Sequence, residues 1–177
     1  MNPKEFYSNY QADDTFSELS SQLVKEVLKF SPNHVFEMGC GTGKNLKPFN
    51  ERNIPTIGLD ISMINIINAK VKNELPCVIC ADESYLRNLV NFDVVFTVSV
   101  LDHIEDIEGI IQEFKRMANK AVIIAETNDV ADDFYYPHDY ESYGFVKSDY
   151  KWRSNADGAN YFIWILDKTL CVEYQVQ

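Results

Sequence analysis

The sequence predicts an α/β fold: a mostly parallel seven-stranded sheet flanked by helices, ending in an antiparallel hairpin. Three observations carry that expectation. Short runs that are apolar almost throughout, such as HVFEM, TIGLD and FDVVFTVSV, alternate with amphipathic helical stretches as far as Glu126. That alternation is the signature of parallel strands buried on both faces. Beyond it, SYGFVKSDYKWRS and NYFIWILD read as two strands joined by a turn at Asp157–Gly158. The third observation is length: 177 residues suit one domain, spanning 1–177, with one sizeable core.

Each element follows from its own pattern. FSELSSQLVKEVLKF places Phe16, Leu19, Leu23, Val27 and Phe30 on one helical face. HVFEM is strand one. KNLKPFNERN is a short helix, with Pro48 against its regularity. TIGLD is strand two, and SMINIINAKVKN is a helix capped by Ser62. CVIC is strand three and SYLRNLV a brief helix. FDVVFTVSV, the longest apolar run, is strand four. IEGIIQEFKRMAN is helical, with Ile107, Ile110, Ile111 and Phe114 on one side, and AVIIAE is strand five. Residues 127–141 are polar and aromatic without a helical stripe, so the helix between strands five and six is expected to be reduced. A sheet face left bare there would expose apolar surface, and a homodimer through the region after strand five is the expected consequence. TLCVEYQVQ alternates weakly, as an extension of the last strand or a frayed end.

Charge and composition narrow the partners. The net charge is −11, from 27 acidic and 16 basic residues. An acidic surface repels nucleic acid and anionic membranes at long range and suits a neutral or cationic small molecule. The N-terminal MNPKEFYSNYQADD lacks the apolar core of a secretory signal, and no apolar run reaches membrane-spanning length. Cys77 and Cys80 stand three apart in a strand, which sends them to opposite faces. With Cys40 and Cys171 they read as buried thiols of a cytoplasmic protein. His34, His103 and His138 have no metal-binding spacing, and no metal is expected.

The stretch VFEMGCGTGKNL, Val35 to Leu46, carries the chemistry. Ligands in open parallel sheets sit beyond the carboxyl ends of the strands, which is where this loop falls. Gly39, Gly41 and Gly43 let the backbone turn tightly and approach a ligand. A dinucleotide fingerprint needs glycine at position 44 or 46, which are Lys44 and Leu46. A phosphate loop needs Ser or Thr after Gly43-Lys44, and Asn45 stands there. The pattern present is Glu37-x-Gly39-x-Gly41-x-Gly43. Strand two ends at Asp60 in IGLDIS, strand three leads into CADES with Asp82, and strand four into VSVLDHI.

These four motifs, in order over residues 35–104, resemble the class I (Rossmann-like) S-adenosylmethionine-dependent methyltransferases. The resemblance implies S-adenosyl-L-methionine as cofactor and a small-molecule methyl acceptor. It places Asp60 on the ribose hydroxyls, Asp82 at the adenine amino group and Glu37 near the methionine amine. It also draws in Cys40 and Asn45 of the loop, Ile61 beside Asp60, and Ala81 and Glu83 beside Asp82. Thr97, Val98 and Ser99 at the end of strand four complete the cofactor set, with Tyr10 folding over it. His103 is the candidate general base and Asp102 its orienter or a contact to the acceptor. Each carboxylate also has a plainer reading: Glu37 as an ion-pair member or a solvated strand end, Asp60 and Asp82 as helix caps. His103 has one too, as a packing residue. The cluster Phe134 to His138 fits a lid over the acceptor or a patch on the bare face. MGCGTGKNL, YGFVKSDYKWRS and YFIWILDK more narrowly resemble the methylases associated with pseudaminic acid biosynthesis. That likeness implies a hydroxyl or amine of a sugar or nucleotide-sugar as the acceptor. Two other functions fit the same motifs: a non-catalytic binding protein of this fold, or an enzyme that cleaves S-adenosylmethionine without an acceptor.

Overall fold

The structure, a computed structural model, describes residues 3–127, 135–155 and 158–170. The chain opens with helix α1 (Pro3–Asn9), which the polar N-terminal sequence did not announce, and continues with α2 (Glu18–Leu28). Ser17 caps α2, its hydroxyl accepting from the Ser20 amide at 3.1 Å. Phe16 precedes that cap, so it stays 46 % exposed rather than joining the buried face of Leu19, Leu23 and Val27. Then come β1 (Val35–Met38), α3 (Lys47–Asn50), β2 (Thr56–Asp60), α4 (Met63–Val71) and β3 (Val78–Cys80). A 3₁₀ segment over Glu83–Asn88 leads to β4 (Phe92–Val98), and a 3₁₀ turn over Leu101–His103 to α5 (Glu108–Met117). β5 (Ala118–Thr127), β6 (Val146–Arg153) and β7 (Asn160–Asp167) complete the order.

Three boundaries depart from the sequence reading. α3 is confined to one turn, because Gly43 to Leu46 make a turn before it and Asn53 takes a left-handed backbone after it. β5 begins three residues early, where Ala118 pairs with Phe92 before a register shift, so α5 stops at Met117. Ser62 sits at the N-cap of α4 but its hydroxyl makes no capping bond, and Asp60 takes the Ser62 amide instead. Of the expected hairpin turn, Asp157 lies outside the described residues and Gly158 has φ +73°. Phe134, Cys171 and most of the terminal TLCVEYQVQ also lie outside them.

The seven strands run in the order β3-β2-β1-β4-β5-β7-β6. The first five are parallel, while β7 pairs antiparallel with both β5 and β6. Alternate side chains of the central strands feed two cores. Val94, Phe96 and Ile123 meet Leu23, Val27 and Phe49 on one face. Phe36, Val95, Val122 and Ile124 meet Ile111 and Phe114 on the other. Chain order reverses between β1 and β4, which opens a crevice at their carboxyl ends.

The described part of the connection between β5 and β6 contains only a 3₁₀ turn, Glu141–Tyr143. The face there is nevertheless covered. Tyr140, 1 % exposed, packs on Trp164 with ring centroids 4.8 Å apart, and Phe145 is buried beside it. The bare patch from which a dimer was expected is therefore not found among the described residues. Large exposed apolar side chains gather instead on α4, at Met63, Ile64, Ile67 and Val71.

Candidate active site

The crevice over β1, β2, β3 and β4 encloses about 540 Å³, within the range that holds a cofactor-sized ligand. Its floor is the glycine loop. Gly39 has φ +69°, and a Cβ there would be driven into the Val100 side chain. Gly41 lines the cavity and donates its amide to Asp60 Oδ2 at 2.8 Å. Gly43 does not reach the cavity: φ is +81°, and a Cβ would strike Leu75 of the core. The first two glycines therefore shape the crevice, and the third closes the loop against the interior.

Asp60 is 8 % exposed and spans two segments. Besides Gly41, it accepts from the Ser62 amide at 2.8 Å and from Asn65 Nδ2 at 3.3 Å, both through Oδ1. Burial raises its carboxyl, and these donors pull it back. Asp60 thus ties the glycine loop to the start of α4 while lining the cavity beside Ile61. Asp82 caps the 3₁₀ segment, accepting from the Ser84 amide at 3.0 Å and hydroxyl at 2.6 Å, and pairs with Lys4 at 3.0 Å. The Ser84 hydroxyl and Lys4 together pull its carboxyl down to about 2. Lys4 also bonds Glu83 at 2.8 Å. Asp82, Glu83 and Ala81 all line the cavity, so the capping role and the cavity position coexist.

Glu37 is placed differently from expectation. It is fully buried and does not line the cavity. Its Oε1 accepts from Asn45 Nδ2 at 2.7 Å, and Asn45, with Cys40, faces the cavity. Burial pushes the Glu37 carboxyl up to about 8, against the pull of Asn45. The same burial, with Glu37 and Asp60 nearby, raises the Cys40 thiol well above its ordinary value. Thr97 is likewise buried beneath the site, its hydroxyl donating to Met38 O at 3.1 Å, whereas Val98 and Ser99 line the crevice. Ser99 holds a left-handed backbone at φ 52°, a conformation that costs energy in a non-glycine residue and gathers at working sites.

α1 crosses the mouth of the crevice. Its Lys4 reaches the exit of β3, and its Tyr7 reaches the exit of β4, where the Tyr7 hydroxyl lies 2.9 Å from His103 Nε2. The Tyr7 and His103 rings stack at 4.5 Å, and Tyr135 approaches the imidazole at 4.7 Å. Tyr10 lines the cavity and packs on Tyr7 and Phe6. His103 lines it too, while Asp102, 1 % exposed, stays behind with Oδ1 3.5 Å from His103 Nε2. Asp102 therefore lies behind His103 and does not reach the cavity. Sequence reasoning missed Lys4 and Tyr7, whose only signal was a short aromatic N-terminal stretch, and Glu126, described below. Among the described residues, no cluster of three His, Cys, Asp or Glu could hold a metal ion, and no helix is long and apolar enough to cross a membrane.

The methyltransferase domain family model matches residues 36–125, from β1 to the end of β5. A ubiquinone biosynthesis O-methyltransferase of Rhodopseudomonas palustris (strain HaA2) is 31% identical over 88 residues, which are 48% of this chain and 35% of that protein. A second, from Pelagibacter ubique (strain HTCC1062), is 29% identical over 90 residues, 49% of this chain and 38% of its own length. The matched region thus spans little more than a third of either curated relative. Among solved structures, the N-methyltransferase NodS of Bradyrhizobium japonicum WM9, in complex with S-adenosyl-L-homocysteine, superposes with TM-score 0.73 at 11% identity, covering 94% of this chain and 98% of that one. Magnesium protoporphyrin IX methyltransferase of Synechocystis PCC 6803, with S-adenosylmethionine bound, gives 0.69 at 16% identity, over 93% and 96%. The family match contains the glycine loop, Asp60, Asp82 and the β4 exit, and the chain belongs to the methyltransferase domain family.

Proposed function

We propose that the chain transfers the methyl group of S-adenosylmethionine to a hydroxyl of a small-molecule acceptor. The observation that carries this reading is the polar layout of one crevice. Asp60 and Asp82 stand over its β2 and β3 side, bare glycine backbone forms its floor, and His103 closes its β4 side. Asp60 would take the ribose hydroxyls, and Asp82 with Ala81 and Glu83 would surround the adenine. Asn45, backed by Glu37, would meet the methionine ammonium. Burial holds the Glu37 carboxyl up at about 8, and an approaching cation favours its ionised form. Val98 and Ser99 flank the reacting end.

When bound, the cofactor supplies a methyl group already activated on a sulfonium. The protein's part is alignment and one proton. His103 would take the proton that the acceptor hydroxyl gives up on methylation. Tyr7 holds the imidazole by its hydroxyl bond to Nε2, and Asp102 backs it. The hydroxyl acceptor is supported by the curated relatives, which are O-methyltransferases of ubiquinone biosynthesis. They lend no support to the sugar acceptor that the narrower resemblance implied.

Calorimetry with S-adenosylhomocysteine tests the site. Asp60→Ala should weaken binding at least tenfold, because a charge-assisted contact worth about 1.5–3 kcal/mol is lost. Absence of binding by the folded wild type, or unchanged affinity in Asp60→Ala, overturns the assignment.

A further inference from the structure

Glu126, near the end of β5, is fully buried and lies outside the cofactor crevice. Its carboxylate accepts from the Val100 amide at 3.0 Å through each oxygen, and from the Leu101 amide at 3.2 Å. The preceding amide, Ser99, donates to Ala125 O at 3.0 Å. Three successive amides of the β4 exit therefore hang on two residues of β5. The segment so fixed includes Ser99 in its left-handed backbone, and Ser99, Val100 and His103 all face the cavity.

A second buried acid, Asp102, stands in the same turn, with Oδ1 3.5 Å from His103 Nε2. The titratable groups facing the two carboxyls are His103, His138 from the β5–β6 connection, and the buried Tyr140. His138 Nε2 also lies 2.9 Å from Leu101 O, so this connection holds the same turn from its far side. Burial first, and Asp102 second, hold the Glu126 carboxyl well above the usual range. Burial also raises Asp102, and His103 draws it back.

We propose that Glu126 is a positioning residue of this site: its carboxylate fixes the β4 exit turn through three hydrogen bonds and so holds Ser99, Val100 and His103 at the cavity wall. No reacting group touches Glu126, so it acts through the turn. The inference takes the crevice as the cofactor site proposed above, but its first test needs no cofactor.

Amide hydrogen exchange reports the turn directly. Glu126→Ala should speed exchange at the Val100 and Leu101 amides at least tenfold, and Glu126→Gln should restore most of the protection. Unchanged exchange at both amides in the alanine variant overturns the fixing of the turn. The second test is S-adenosylhomocysteine affinity. Glu126→Ala should weaken it about tenfold without touching the crevice, and Glu126→Gln, which keeps an acceptor for the turn, should restore it to within about twofold. An alanine variant that binds like wild type refutes the positioning role. Failure of the wild type to bind would sink the cofactor reading and leave the exchange result standing.

Discussion

Replacing Glu37 by Gln should stabilise the protein, and increasingly so as pH rises. Glu37 is fully buried within β1, and its carboxyl is pushed from 4.5 to about 8. For an acid raised in the folded state, the native structure favours the neutral form. Its contribution is fully present below pH 4.5 and is lost as pH climbs through 8. Between those values each pH unit costs about 1.4 kcal/mol. From pH 5 to pH 8 the wild type should therefore lose about 3–4 kcal/mol that Glu37→Gln keeps. Glutamine is close in shape, and its carbonyl still accepts from Asn45, so packing changes little. Urea denaturation of both proteins at pH 5, 6.5 and 8 measures the gap. A difference that does not grow with pH would show that the Glu37 carboxyl is ionised or reached by water, and the electrostatic account of β1 would fail.

Two glycines should respond to alanine in opposite ways. Gly39→Ala forces a left-handed alanine into Val100 and should cost about 3 kcal/mol. Gly109, in the first turn of α5, has open space around it, so Gly109→Ala should gain up to about 1 kcal/mol. Equal shifts in urea midpoint would contradict this. Among the described cysteines, iodoacetamide should modify the exposed Cys77 first and spare Cys40, which is 3 % exposed with a thiol held well above its ordinary value. Peptide mapping that finds Cys40 alkylated at the rate of Cys77 would count against the buried loop.

The sequence by itself determined the strand order of events along the chain. Strands buried on both faces must be apolar throughout, and so β1, β2, β4 and β5 stand out by composition alone. The glycine loop, Asp60 and Asp82 were legible for a related reason. They follow strands directly, and parallel topology brings successive strand ends to one edge of the sheet. What a residue does there was not legible. Whether Glu37 faces the cavity or the interior depends on which side of the β1 end Asn45 occupies. Asp82 as cap and Asp82 as cavity wall have the same sequence, and the structure makes it both.

Only the tertiary structure decided the contacts between distant segments. Tyr7 meets His103 across 96 residues, Lys4 meets Glu83 across 79, and Glu126 reaches back to the Val100 amide across 26. No local periodicity encodes such pairs, because each partner is compatible with its own element whether or not the other is near. Tyr140 and Phe145 fill the place of a shortened helix by the same kind of long-range packing, onto Trp164 and its neighbours. Local pattern fixes the elements and the edge where their ends meet. Side-chain burial and hydrogen bonding, which exist only once those ends are assembled, fix which groups face the ligand.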